Sequence, residues 1–385
     1  MIANRKGFRP DGAVFAVGLF LATAFLAASD EGVRLLAGNE VALIDVSCDA
    51  GATACPAGLA PGTVARQTSA RGINPGGDIV GFYVDAALRQ HGFVRQNGRY
   101  ETIDFPLAGM RGTIANGINA QGEIVGQYLL PANPDLPESS PLYCPPNPNG
   151  GSVADPACIK GFHYRRGEYS TVMFSGHPGA IPQRITSEGD IHGCLHDHDL
   201  GVSMYGATWR RSFGPKGSVY IADAYSLQPN GGELADSMPI TMSMNNGGTL
   251  NGHSIVGLFS DMDMAGKQRG YVVRNGMFEP YDASDDTLTA NLTAIWDMNP
   301  QGHFVGTFRG QGEATGRRHG FVDRGDGFSK RIAFDVTIPA ASGTQVTALA
   351  TVAFGINPDG FIVGHYILAT GGAIHGFVAT PLIGN

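Results

Sequence analysis

The residues of this chain best able to do chemistry stand together after Ile191, where it reads IHGCLHDHDLG. His192, His196, Asp197, His198 and Asp199 bring three imidazoles and two carboxylates into one short run. On an extended strand, alternation sends His192, Cys194, His196 and His198 to one face. Imidazole and carboxylate together bind a divalent cation, Zn²⁺ first among them, and neutral histidine suits that role at pH 7. A corresponding stretch, SDMDMAG, adds Asp261 and Asp263. His192, His196, His198, Asp261 and Asp263 are therefore the candidate metal set, and His196, Asp197 and His198 the candidate acid–base set. The same residue types also make an ordinary solvated loop, and no established ligand spacing is present.

Other candidates are defined by position. Ahead of a recurring Gly-aromatic step stand His91, Lys160, Tyr205, Arg269, His319 and His375, each able to donate a hydrogen bond. Arranged in a ring they would hold a carboxylate or an acidic sugar. The plainer expectation, and the favoured one, is that each caps a nearby backbone carbonyl. Asp45, Asp104, Asp223, Asp282 and Asp335 also recur, too regularly to mark a single site. Two residues before the apolar anchor of a second recurring motif stand Arg71, Asn116, Gln183, Met242, Trp296 and Phe354. Facing a channel, they form a half-polar, half-aromatic lining for a sugar or small organic ligand, with Trp296 as stacking plane and Arg71 as charge. Facing a neighbouring element, they are core. His365 stands where other copies have Phe82, Gln127, Leu258 and Thr307 and joins the ligand-binding candidates. Arg309, Arg317, Arg318 and Arg324 form a cationic cluster that reads either as an anion site or as a solvated loop face.

The elements that must position these residues come from an internal repeat. The chain reads GINPGGDIVGFY at Ile73, GINAQGEIVGQY at Ile118 and GINPDGFIVGHY at Ile356, with weaker copies RITSEGDIHGCL at Ile185 and DMNPQGHFVGTF at Met298. In all five the apolar residue precedes the next motif glycine by eight positions: 73→81, 118→126, 185→193, 298→306 and 356→364. A sixth copy, Met244 to Gly257, carries five extra residues in its turn. Asn-Pro-x-Gly makes a tight turn, since proline presets φ and glycine takes the positive-φ position. The flanking runs are short and β-compatible, so each motif is a hairpin. The Gly-aromatic step marks a third strand, and runs such as YETIDFP and RIAFDVT mark a fourth. Four antiparallel strands repeated six times predict a six-bladed β-propeller. The last copy lacks a fourth strand, while EVALIDVS near the N-terminus is an orphan one. Glu40–Ser47 is therefore expected to complete the final blade and remove the open edges.

The pattern GIN-x-x-G-x-IVG-x-Y, followed by HGF and an ID-FP strand, resembles the bacterial extracellular HAF-repeat family over about Glu40 to Leu382. That resemblance implies an exported, propeller-like protein and no defined activity.

Composition agrees with many strands and turns. The 385 residues include 56 Gly and 23 Pro, only 16% are charged, and 43% are hydrophobic, enough for a sizeable core. A net charge of −8 argues against nucleic acid or an anionic membrane surface as partner. Arg5, Lys6 and Arg9 ahead of the apolar run Ala13 to Ala28 read as a secretory signal peptide over 1–29, the alternative being an uncleaved anchor. The rest, 30–385, is read as one domain in the periplasm or outside the cell. In that compartment the cysteines suit disulfides Cys48–Cys55 and Cys144–Cys158, paired by proximity, with Cys194 a buried leftover. There is no G-x-S-x-G elbow, P-loop, dinucleotide fingerprint or HExxH. Three readings remain: a binder of an extracellular small molecule or glycan at the channel mouth, a hydrolase or lyase using the His/Asp loop there, and a structural protein with an apolar-filled channel.

Overall fold

The computed structural model describes residues 33–383 except 109–111, 134, 138–139, 141–142, 145–157, 174–178, 197–203, 215–216, 226–238, 245–254, 262–266, 275–276, 286, 328–330, 341 and 370–371. The expected signal peptide lies outside these residues. The described chain is all-β save one short 3-10 turn, Gly38–Glu40, and none of its helices is long and apolar enough to cross a membrane.

The strands form small antiparallel sheets in a propeller-like arrangement. Unit one comprises Gln67–Ile73, Ile79–Val84, Gln90–Gln96 and Arg99–Ile103; unit two Thr113–Ile118, Ile124–Leu129, Ile159–Arg165 and Glu168–Val172; unit three Gly179–Ile185, Ile191–His196, Met204–Gly214 and Gly217–Tyr225. The last unit comprises Ala350–Ile356, Ile362–Ile367, Ile374–Ala379 and the N-terminal strand Val41–Leu43. These are four separate four-stranded sheets, not the six expected. The strands assigned to units four (Pro239–Met244, Ile255–Asp261, Lys267–Arg274, Met277–Tyr281) and five (Ala290–Met298, Phe304–Gly310, His319–Asp323, Ile332–Pro339) belong to one ten-stranded sheet. A single parallel pair, Gln268↔Leu292, joins its halves. The remaining two strands are Gln345–Thr347 and an element the repeat did not announce: Val33–Leu36 lies parallel to Ala333–Val336 and covers that edge.

The N-terminal strand pairs antiparallel with the last unit, Val41↔Ala379 through Leu43↔Phe377. The first strands of successive units are neighbours, and that of the last unit neighbours Gln67–Ile73 in turn. One repeated hydrogen bond marks the joints. A buried threonine at the start of a first strand accepts from the amide that ends the preceding unit: Thr113 from Phe105 (2.9 Å), Thr293 from Ala283 (3.0 Å) and Thr351 from Val336 (3.1 Å). Thr68 accepts from Val46 (2.9 Å), so the N-terminal strand that completes the last unit meets unit one by the same device.

The repeat residues explain the packing. Asn119 of GIN accepts from the Gln121 and Glu123 amides of its own turn and donates across to the Thr186 carbonyl of the next unit (3.0 Å). The IVG glycine faces the HGF phenylalanine across the sheet, as in Gly81↔Phe93 and Gly364↔Phe377. A Cβ on Gly81 would sit 1.9 Å from the Ser69 carbonyl and 2.9 Å from the Phe93 ring, so the ring occupies the space a side chain would need. Apolar clusters fill the gaps between neighbours; one joins Ile44, Val46 and Val378 of the last unit to Ala70, Ile73 and Phe93 of unit one.

Candidate functional site

Five first strands share a β-bulge at the same place, between Ala70 and Gly72, Ala115 and Gly117, Pro182 and Arg184, Ile295 and Asp297, and Ala353 and Gly355. The bulged residues are Arg71, Asn116, Gln183, Trp296 and Phe354. In unit four the irregularity falls earlier, between Pro239 and Thr241, so Met242 is in register with Gly257; its side chain is not described. A bulge leaves one residue unpaired and re-aims its peptide. Here four of the freed carbonyls converge on one side chain.

That side chain is Arg184, 4% exposed. Its Nη1 donates to the carbonyls of Asn116 (2.8 Å) and Gln183 (2.7 Å), and its Nη2 to those of Arg71 (3.1 Å) and Phe354. Its Nε lies 3.1 Å from Asp297 Oδ1, an ion pair without the alignment of a hydrogen bond. Asp297 also accepts from the amides of Met298 (2.9 Å) and Ile356 (3.2 Å). Burial raises the Asp297 pKa despite Arg184 and these amides. Arg184 and Asp297 occupy the place of the GIN glycine, which stays glycine at 72, 117 and 355. A Cβ there would approach a neighbouring carbonyl to 2.9 Å (Asn116), 2.7 Å (Gln183) and 3.2 Å (Arg71) respectively. Three units thus give up side chains at the axis, and one charged pair fills it. The filling is ionic, which departs from the apolar plug of the purely structural reading.

Beside this plug lies a second cluster. The Arg71 guanidinium sits 4.0 Å from the Phe354 ring centroid and 5.4 Å from that of Phe82. Phe354 is 5.1 Å from both the Trp296 and His365 rings, and His365 Nδ1 is 2.9 Å from Ser69 Oγ. Phe82 and His365 follow the motif glycines Gly81 and Gly364 on second strands. They carry the cluster toward the loops that end those strands. Arg71, Trp296 and His365 keep partial solvent exposure. Among the described residues Arg71 has no carboxylate partner, and its Nε has no hydrogen bond. Burial, then repulsion from Arg184, lowers its pKa to about 10, so it remains cationic at neutral pH. Burial, then Arg71, holds His365 down at about 3, which keeps it neutral. A desolvated cation between aromatic faces, beside a neutral imidazole, can receive an anionic group carried on a flat or apolar body.

The other position-defined candidates turn out to be partners of one another. His91 Nδ1 is 2.6 Å from Asp104 and its Nε2 3.3 Å from Asp85. His319 Nδ1 is 3.1 Å from Asp335 and its Nε2 2.9 Å from Glu313. His375 Nδ1 is 2.8 Å from Asp45, and Arg269 Nε 3.1 Å from Asp282. In place of the caps expected on backbone carbonyls, these imidazoles and the Arg269 guanidinium bond to carboxylates beside the fourth strands and in the adjoining loops, within each unit rather than around a shared cavity. Lys160 is buried; the Tyr205 and Asp223 side chains are not described. Asn116 is also structural in its contacts, donating to the Pro182 carbonyl of the next unit (2.9 Å), while Gln183 is half-buried.

Of the metal set, His192 is fully buried with Nδ1 2.9 Å from Thr208 Oγ1. His196 and Asp261 end their strands and their side chains are not described; Asp197, His198 and Asp263 lie outside the described residues. Among the described residues no group of three or more His, Cys, Asp or Glu is placed to hold a metal. Both disulfides form as expected, Cys48–Cys55 and Cys144–Cys158. Cys194 is free and buried, and burial pushes its thiol up to about 12, which makes it no nucleophile. The residues that sequence reasoning missed are Arg184 and Asp297. Their one signal was that RIT and DMN break the GIN glycine.

No family model matches the chain, and no curated protein matches it by sequence. Among solved structures it is similar to a triple-arginine mutant of AofleA from Arthrobotrys oligospora, at 12% identity over 81% of this chain and 86% of that one, TM-score 0.40. A gluconolactonase from Xanthomonas campestris aligns at 12% identity over 83% and 89%, TM-score 0.40. The Trypanosoma rangeli sialidase in complex with sialic acid aligns at 7% identity over 91% and 60%, TM-score 0.45.

Proposed function

We propose that this is an exported six-bladed β-propeller of the HAF-repeat kind, which binds an extracellular ligand of carbohydrate type at one mouth of its central channel. In this reading the ten-stranded sheet acts as two blades, because only one residue pair links its halves. Val41–Leu43 then closes the ring. The Arg184–Asp297 pair is the floor of the mouth, and the half-buried Arg71, Trp296 and His365 form the binding surface above it, backed by the buried rings of Phe82 and Phe354. Two disulfides support an oxidising compartment.

The observation that carries the reading is Arg71. A half-buried cation with no counter-charge loses part of its hydration, and among the described residues only aromatic faces offset that loss. An acidic group on a bound ligand would supply the missing charge, and the half-buried Trp296 ring would stack on its body. The test is isothermal titration of the full chain with trigalacturonate and with an uncharged trisaccharide. Trigalacturonate is expected to bind in preference, and Arg71→Gln to weaken it about 10- to 100-fold, the worth of one charge-assisted contact. Equal binding by wild type and Arg71→Gln would refute the assignment.

A further inference from the structure

Two other arginines present the same anomaly on a different part of the molecule. Arg309 ends the second strand of unit five, and Arg318 precedes its third strand. Arg309 donates from Nε to Asn291 Oδ1 (2.9 Å) and from Nη1 to the Thr315 carbonyl (3.3 Å). Arg318 Nη1 donates to the same Thr315 carbonyl (2.7 Å) and to that of Arg317 (2.7 Å). Two guanidinium groups therefore share one neutral acceptor, and among the described residues neither has a carboxylate partner. The nearest acid in the connecting loop, Glu313, is already committed: it accepts from the Gly310 amide (2.7 Å) and lies 2.9 Å from His319 Nε2. The neighbouring Arg317 differs, since it is ion-paired with Asp335. Burial, then the charge of Arg309, lowers the Arg318 pKa.

Both arginines stand on fixed backbone. Arg309 is paired with Leu292 in the sheet, and the Arg318 backbone is clamped to the last unit, its carbonyl accepting from the Thr351 amide (3.0 Å). Nη2 of each, and Nε of Arg318, have no partner among the described residues. Like charges held together on rigid supports, with donors to spare and half-exposed, form a preorganised fork for an oxyanion.

The place of this fork is informative. Arg309 follows Thr307 by two on the same strand and so shares its face. Thr307 is the counterpart of Phe82 and His365. On the first strand, Leu292, which opposes Arg309, precedes Trp296 by four residues with one bulge between. At roughly 3.3 Å per residue the fork stands about 10 Å along the strand from the Arg71 level, toward the mouth.

We propose that Arg309 and Arg318 form an oxyanion subsite at the rim of the channel mouth. Resting on the proposed mouth site, this makes the ligand one with two acidic groups at least about 10 Å apart, such as an acidic oligosaccharide. Carboxylate and sulfate share the required chemistry, and the test separates them. The full chain, Arg309→Gln/Arg318→Gln and Arg71→Gln are titrated by NMR and calorimetry with sodium sulfate, trigalacturonate and an uncharged trisaccharide. Near-ultraviolet circular dichroism checks that each variant is folded. Sulfate is expected to perturb the rim resonances of the wild type and of Arg71→Gln, and to lose that effect in the double variant. Trigalacturonate is expected to weaken at least tenfold in the double variant, with a shallower salt dependence. Sulfate preference over trigalacturonate at the rim would identify a sulfated ligand. The double variant binding both probes like wild type would overturn the subsite while leaving Arg71 untouched. Loss of sulfate binding in the double variant, with trigalacturonate indifferent to Arg71→Gln, would keep the rim site and overturn the mouth reading.

Discussion

Replacing Arg184 by methionine tests the idea that one side chain holds the centre of the molecule. The substitution keeps most of the stem and removes the charge. It leaves Asp297, 1% exposed, without its cation, and strips four bulge carbonyls of their donor. Breaking a buried ion pair from one side costs about 3–5 kcal/mol. Water entering the channel can satisfy the carbonyls, so they add little beyond this. At an unfolding entropy of about 2.1 cal/mol/K per residue, a chain of this size loses about 1.2 °C per kcal/mol, so the melting temperature should fall by about 4–6 °C. The loss should also depend on pH. The Asp297 pKa is already raised by burial, and removing Arg184 raises it further. A carboxyl whose folded pKa exceeds its unfolded value binds more protons in the native state, so stability declines as pH rises through that range. The variant should therefore lie closest to wild type in acid and furthest from it at neutral pH. Asp297→Asn should also destabilise, and the double variant should be less damaged than the sum of the singles. Thermal unfolding followed by circular dichroism at several pH values, with all four proteins, measures this. Additive effects, or single variants within about 1 kcal/mol of wild type, would refute the claim that the pair is coupled.

Thr68→Val should cost about 1–3 kcal/mol by leaving the Val46 amide unsatisfied, a loss matched by Thr113→Val at an internal joint. If chemical denaturation shows Thr113→Val destabilised and Thr68→Val unchanged, the N-terminal strand does not close the ring. His91 offers a second pH signature. Burial disfavours its charged form, but hydrogen bonds to Asp104 and Asp85 and their charges outweigh this and raise its pKa. The resulting stability is fully present below about pH 6.5, the unfolded value, and is lost as pH rises through the folded one. His91→Gln should flatten that decline in urea midpoints measured on either side; an unchanged slope would show that the pair contributes nothing.

How much of this was legible beforehand follows the range of each interaction. The hairpins were readable because an Asn-x-x-Gly turn and two alternating runs need only a dozen consecutive residues. The loop disulfides, both short-range, were readable for the same reason. The displaced N-terminal strand was visible because Ile44 and Asp45 copy a repeated fourth strand that the C-terminus lacks. Val33–Leu36 was not visible, since it copies nothing and lies parallel to a strand 300 residues away. The histidines and aspartates were each seen to recur, yet their mutual pairing depends on third and fourth strands lying side by side. Arg184 is the clearest case. In the sequence it looks like decay of a glycine motif; its role exists only where first strands from all round the molecule meet. There, backbone carbonyls, which leave no mark on side-chain pattern, become the ligands of a guanidinium. Local rules set the unit, and the common axis, a property of no single unit, decided what its exceptions do.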